Sequence, residues 1–197
     1  MIPIASARRR SPGRTEADRG PHALERRTPH GAEHVRRTRS VERNLFLLMA
    51  ANIAPLIVAA MLGRRLSSPL DGGALAKDGR RVLGDSKTWR GCAASLFATV
   101  AVGGLLNVAP RLAARFSLLS MSGDVFSSFW KRRIGIEVHG RSALLDQLPE
   151  AVLPLLLLRR RLATSRRDVF DAIFVFTVLE EPVSRLFFRF GLRDRPF

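Results

Sequence analysis

GCAASLFATVAVGGLLNVAP, residues 91 to 110, decides the fold, because it carries no charged side chain and matches the run of about 20 apolar residues that crosses a hydrocarbon core. Its Ala, Gly and Ser content, with Gly103 and Gly104 adjacent, suits close helix packing more than exposure to lipid. Working outward, four more segments of the same kind flank it. Asn44 to Leu62, NLFLLMAANIAPLIVAAML, is a first span in which Asn52 and Pro55 need neighbours to satisfy the groups they free. Leu112 to Trp130, LAARFSLLSMSGDVFSSFW, is apolar enough to cross but holds Arg115 and Asp124. An ionisable group at membrane depth is costly, so Asp124 is a functional candidate by default. Ala143 to Leu158 and Val169 to about Phe190 complete the set; Glu180, Glu181 and Pro182 mark the second half of the last one as interfacial or bent. The expected fold is all-α, a polytopic membrane helix bundle of about five transmembrane helices, with no strand pattern competing.

The charges are segregated from these segments. The chain has 197 residues, 46% of them hydrophobic, and a net charge of +16. Residues 1–43 are rich in arginine, with scattered Pro and Gly and almost no apolar periodicity, which predicts a disordered basic head before a membrane domain at 44–197. No apolar core follows the first arginines, so a signal peptide does not fit, and Glu16, Asp18, Glu25, Glu33 and Glu42 interrupt any transit-peptide pattern. The single Cys92 excludes an intrachain disulfide framework. Three of the four histidines lie in the head, leaving His139 alone in the body, a poor basis for a Ser-His-Asp hydrolase. A nucleic-acid partner would rest on net charge alone; with these apolar segments the basic balance points to membrane lipid and phosphate, and no protein partner is expected.

Chemistry concentrates immediately before the decisive stretch. Asp71 to Gly91, DGGALAKDGRRVLGDSKTWRG, combines Asp71, Asp78 and Asp85 with Lys77, Arg80, Arg81, Lys87 and Arg90, punctuated by glycines. Carboxylates hold hard cations, lysine and arginine clamp phosphate oxygens, and glycine lets backbone N–H groups approach an anion. A metal–polyphosphate complex is therefore the expected ligand. The run GRRVLGDSKT resembles a Walker A loop only superficially, since Asp85 and Ser86 separate Gly84 from Lys87 and no strand precedes it. A second charged loop, Lys131 to Gln147, opens with Lys131, Arg132 and Arg133. If residues 91–110 and 112–130 both cross, the two loops share one membrane face and can converge on one site. Cations load both faces almost equally, so charge bias does not fix the orientation; a nucleotide substrate would place the site in the cytoplasm, in a multi-pass protein of the cell membrane.

From Asn52 onward the chain resembles the CDP-archaeol synthase family, membrane cytidylyltransferases related in chemistry to CDP-diacylglycerol synthases. The resemblance is carried by Ala51-Asn52 with Pro55, Pro69-Leu70-Asp71, Asp78-Gly79-Arg80-Arg81, the block Leu83-Gly84-Asp85-Ser86-Lys87-Thr88-Trp89-Arg90-Gly91, Gly123-Asp124, Ser128-Phe129, Lys131-Arg132-Arg133 with Gly135-Ile136, and Asp146-Gln147-Leu148. The ending from Gly191 to Phe197 is similar as well. Two features depart from the family: Glu181-Pro182 stands where a His-Pro pair is expected, and the head at 1–43 is extra.

The resemblance implies transfer of CMP from CTP to a lipid phosphate, with Mg²⁺ as cofactor and pyrophosphate as the leaving product. It assigns Asp85, Lys87, Asp124 and Lys131 to catalysis, with Asp85 and Asp124 as metal ligands and Asp78 and Asp146 next in line. Arg80, Arg81 and Arg90 would join Lys87 on the nucleotide phosphates; Arg132 and Arg133 would join Lys131 on the lipid phosphate; Asn52 would touch the nucleotide. Two rivals stay open at this stage: the same chemistry on phosphatidic acid, and a non-catalytic membrane protein whose basic loops bind anionic lipid.

Overall fold

The computed structural model describes residues 29–135 and 143–189, and the chain divides into two compact units, Met1–Val35 and Arg36–Phe197. Five helices follow in order: α1 (Pro29–Leu62), α2 (Trp89–Leu105), α3 (Pro110–Arg133), α4 (Ala143–Leu158) and α5 (Arg166–Arg189). The first correction concerns the head. Helix α1 begins at Pro29, so residues 29–43, expected to be disordered, are helical. Proline suits a first helical turn, and the Ala, Glu and Arg residues that follow are good helix formers. Tertiary contacts then fix the part within the second unit: Arg37 pairs with Asp171, Arg43 donates to the Leu162 carbonyl, and the buried Asn44 donates to Thr164 Oγ1 at 3.2 Å.

The buried core is one apolar cluster, with Leu47 and Leu48 of α1, Ala113 and Phe116 of α3, Ala151 and Leu155 of α4, and Ala172 and Phe176 of α5, and α2 packs against it through the partly buried Val100. Helix α2 joins through small polar residues, with Ser95 and Thr99 buried and the Ser95 hydroxyl 2.8 Å from that of Ser117 on α3. Where α3 crosses α4, a Cβ on Gly123 would lie 2.3 Å from the Pro149 carbonyl oxygen, so only glycine permits the contact. That crossing anchors the turn of α3 that presents Asp124. Large apolar side chains such as Phe97, Leu105, Phe170 and Phe174 remain exposed on the outer faces, an apolar surface suited to lipid.

The expected five spans resolve into five helices of unequal reach. Among the described residues, by length and composition only α1, over Glu33–Leu62, is both long and apolar enough to cross a membrane; Trp89–Leu105 and Gln147–Leu158 are apolar but shorter. Helices α3 and α5 are long but carry more charge. The α1–α2 connection also holds more order than an apolar-pattern reading predicts. Leu75 and Arg81 bridge in antiparallel fashion, and Ala76 N–H donates to the Arg80 carbonyl at 2.8 Å around a three-residue turn, Lys77-Asp78-Gly79. Gly79 takes the left-handed position at φ 72, which this hairpin type requires.

Candidate active site where the α1–α2 loop meets α3

Asp71 holds the loop together from inside. Its side chain is only 3% exposed and accepts from Arg81 Nη2 at 2.9 Å, Gly73 N at 3.1 Å, Leu83 N at 3.0 Å and Gly84 N at 3.2 Å. Burial pushes its carboxyl up, but these donors outweigh burial and hold it well below the ordinary carboxylate range. Asp71 is thus consumed by the fold. A second Asx turn forms at Asp78, which accepts from Arg80 N at 3.1 Å and from Arg133 Nη1 at 2.8 Å. Its carboxyl also lies below its ordinary value: partial burial raises it, and the Arg80 amide and the Arg133 guanidinium lower it further.

The loop docks on the last turn of α3. Arg133 reaches both Asp78 and the Arg81 carbonyl, the latter at 3.0 Å, while Arg80 Nη1 donates at 3.2 Å to the Arg132 carbonyl, one of the groups a helix end leaves unpaired. The Arg132 guanidinium lies against Gly84, and Lys131 and Arg132 are each buried to 7% exposure. The GDSKT block then does two things in sequence. Thr88 caps α2, its hydroxyl accepting from Gly91 N at 3.2 Å. The residue before it, Lys87, is thereby set at the helix entrance, with Nζ 2.5 and 2.6 Å from the two oxygens of Asp124. Helix α3 continues past Asp124 to Arg133, so Asp124 sits within a helix and caps nothing.

The site residues named from the sequence separate into three groups. Asp78, Arg80, Arg81, Asp85, Arg132 and Arg133 are linked by the contacts above, Asp85 through Arg81 Nη1 at 2.7 Å, while Lys87 and Asp124 form a pair of their own and Lys131 lies buried at the same end of α3. Asn52 and Arg90 are used elsewhere: Asn52 donates to the Leu48 carbonyl at 2.9 Å and to Ser120 Oγ at 3.4 Å, and Arg90 to the Arg65 carbonyl. Both therefore serve packing here, tying α1 to α3 and α2 to the turn that follows α1. The side chain of Asp146 and the stretch 136–142 with His139 lie outside the described residues. Sequence reasoning placed Asp71 among the ligand-handling groups; its neighbours Gly72 and Gly73, which mark a turn, were the signal for its structural role. It passed over Glu150, a carboxylate at 6% exposure on α4 beside the Gly123 crossing.

Cations outnumber carboxylates at this junction, a balance that suits an anion. The Nε atoms of Arg81 and Arg133 are buried and have no acceptor among the described residues. A divalent cation takes one or two carboxylates and fills its shell with phosphate and water. Asp85 fits that donor set, with a side chain 81% exposed and only one oxygen used by Arg81. Asp124 fits once Lys87 turns from it to a phosphate, since Nζ stands on both its oxygens.

Comparison with known proteins points to a family. The CarS-like CDP-archaeol synthase family profile matches residues 39–119. A CDP-archaeol synthase of Thermococcus onnurineus is 40% identical over 109 residues, which cover 50% of this chain and 61% of that protein. One of Natronomonas pharaonis is 34% identical over 157 residues, covering 68% of this chain and 82% of that protein. A solved structure of an intramembrane enzyme for archaeal membrane lipids biosynthesis superimposes with a TM-score of 0.59 at 30% identity, covering 70% of this chain and 90% of its own. The Natronomonas match and the likeness to an intramembrane enzyme make this a membrane protein, and the chain belongs to the CDP-archaeol synthase family.

Proposed function

We propose that the chain is a CTP-dependent cytidylyltransferase acting on an archaeol-type ether lipid phosphate. The observation that carries this reading is the junction itself: a loop rich in aspartate and arginine meets the cationic end of α3 around the Lys87–Asp124 pair, in a chain of this family. In the reaction a lipid phosphate oxygen attacks the α-phosphorus of CTP, the new P–O bond forms as the bond to the β-phosphate bridging oxygen breaks, and pyrophosphate leaves. The attacking oxygen is already an anion, so no strong base is needed. What the protein must supply is positioning and neutralisation of charge.

Lys87, Arg80 and Arg81 hold the triphosphate; Lys131, Arg132 and Arg133 receive the lipid phosphate. On nucleotide binding Lys87 leaves Asp124 for phosphate. Asp85 and Asp124 would hold a Mg²⁺ ion, which when bound would neutralise charge on the triphosphate. The helices form a multi-pass bundle with this site on the cytoplasmic face. Phosphatidic acid keeps the chemistry and changes only the chain linkage. CTP labelled in its α-phosphate, offered with ether and with ester lipid phosphates in separate reactions, ranks the two. Labelled lipid from the ether substrate in clear excess is expected; no labelled lipid from either would defeat the reading.

A further inference from the structure

The end of the bundle opposite the site carries a charged face that the reaction does not use. From Asn44 to Leu62 helix α1 rises roughly 27 Å at 1.5 Å per residue, close to a ~30 Å hydrocarbon core, so the two ends of this segment lie about one core thickness apart. At the Asn44 end three helix ends meet, and each changes character at the same point. On α1 the exposed Phe46 gives way to Arg43 and Arg39; on α4 the exposed Leu157 is followed by Arg159, Arg160 and Arg161; on α5 the exposed Phe170 is preceded by Arg167 and Arg166. Contacts between the helices bring the three boundaries together: Arg43 donates to the Leu162 carbonyl, Asn44 donates to Thr164 Oγ1, and Arg37 pairs with Asp171. Two basic stretches far apart in sequence thereby form one face.

The charge of this face is not neutralised from within. Residues 36–43 and 159–171 hold nine arginines and three carboxylates. Two of the three, Asp168 and Asp171, face Arg37, and Asp168 also accepts from the Ser165 amide. Arg36, Arg39, Arg160, Arg161, Arg166 and Arg167 are exposed, with no carboxylate partner among the described residues. Because residues 36–43 are helical, their arginines are held in place over a rise of roughly 10 Å. A headgroup layer, about 5 to 8 Å deep on each side of the core, fits within that rise. Guanidinium groups set just outside an exposed apolar belt match the phosphate level of a membrane, and each is a planar fork that grips phosphate through two hydrogen bonds.

We propose that this arginine face binds the phosphate headgroups of anionic lipids in the leaflet opposite the site, and that the bound lipid stabilises the junction of α1, α4 and α5. A nucleic acid or an acidic protein would meet the charge alone; a lipid meets the arginines and the exposed Phe46, Leu157 and Phe170 together. The proposal needs only the membrane setting and holds whichever lipid phosphate the site turns over.

The test is the unfolding temperature of the purified full chain in neutral detergent, with phosphatidylglycerol or phosphatidylcholine of the same chains added. Phosphatidylglycerol should raise it by about 6 °C more than phosphatidylcholine does, a difference that shrinks at high salt. Arg160→Gln, Arg161→Gln, Arg166→Gln and Arg167→Gln together should remove at least half of that difference, while the unfolding temperature in phosphatidylcholine stays within about 2 °C of the parent. Arg→Lys changes at the same four positions should keep most of it. Arg64→Gln with Arg65→Gln, exposed beyond the other end of α1, should keep all of it. An undiminished difference in the four-glutamine variant, an equal loss in the Arg64 and Arg65 variant, or an equal rise on adding heparin without lipid would overturn the proposal. If the four-glutamine variant does not fold, the parent decides, since a difference that high salt leaves unchanged would overturn it as well.

Discussion

Two ends of the helix bundle are tied by arginine–aspartate contacts, and they differ in what those contacts leave over. Where α1 meets the start of α5, Arg37 pairs with Asp171 at 2.5 Å and lies 3.7 Å from Asp168, while Asp168 and Ser165 exchange hydrogen bonds as a capping box at 3.1 and 3.2 Å. Asn44 and Arg43 finish the cluster on Thr164 and the Leu162 carbonyl. Each of these groups serves helix ends or helix–helix contact. At the loop end Asp71 does the same work, but Asp85 is 81% exposed, and Lys87 and Asp124 hold each other at the helix entrance; buried arginine Nε atoms without an acceptor among the described residues occur at both ends, at Arg43 and at Arg81 and Arg133. Similar residue types meet at both ends, and the difference lies in the exposed carboxylate of Asp85 and in the lysine–aspartate pair.

The largest expected effect that would break this contrast is at Asp124. Asp124→Asn should lower kcat/KM for CTP about 10³-fold with unfolding temperature nearly unchanged; activity within threefold of the parent would make the pair a second brace. Next comes Asp71→Asn, which removes the charge that Arg81 and three amides converge on. The displaced loop should cost about 10²-fold in rate and become open to proteolysis. Because the folded carboxyl of Asp71 lies below its unfolded value of about 3.9, it stabilises the loop at all pH values above that and loses the effect only as pH falls through the lower folded value. Protease resistance of the parent loop should therefore persist through mildly acidic pH, and in Asp71→Asn the acid-dependent step should vanish.

Smaller effects sharpen the comparison. Asp85→Asn should raise the Mg²⁺ concentration for half-maximal rate about tenfold, with no loss of thermal stability, since the exposed side chain braces nothing that Asp71 does not. Smallest for activity is Asn44→Ala at the opposite end. It should cost about 1 kcal/mol of stability by removing the buried hydrogen bond to Thr164, visible as a lower unfolding temperature, with kcat/KM within about twofold.

How much of this was legible in the sequence follows from the physics of each signal. Uncharged length gave the helices of 91–105 and 44–62, because burial in lipid or core demands it. Helix start was misjudged at 29–43 because arginine-rich stretches look solvated until a partner such as Asp171 is known. The hairpin at 75–81 was hidden because its only local mark is Asp78-Gly79. Contact of the loop with Arg132 and Arg133 was expected because two consecutive apolar segments separate the two charged stretches. The division of labour among aspartates did not, since Asp71 and Asp85 differ only in how many donors the folded loop aims at each.

The most direct test is pyrophosphate release by the purified full chain in detergent with CTP and Mg²⁺, lipid phosphate present or withheld. Release that depends on the ether lipid phosphate and is lost in Asp124→Asn is the expected result. Release indifferent to lipid phosphate, or none with either lipid phosphate present, would contradict the account.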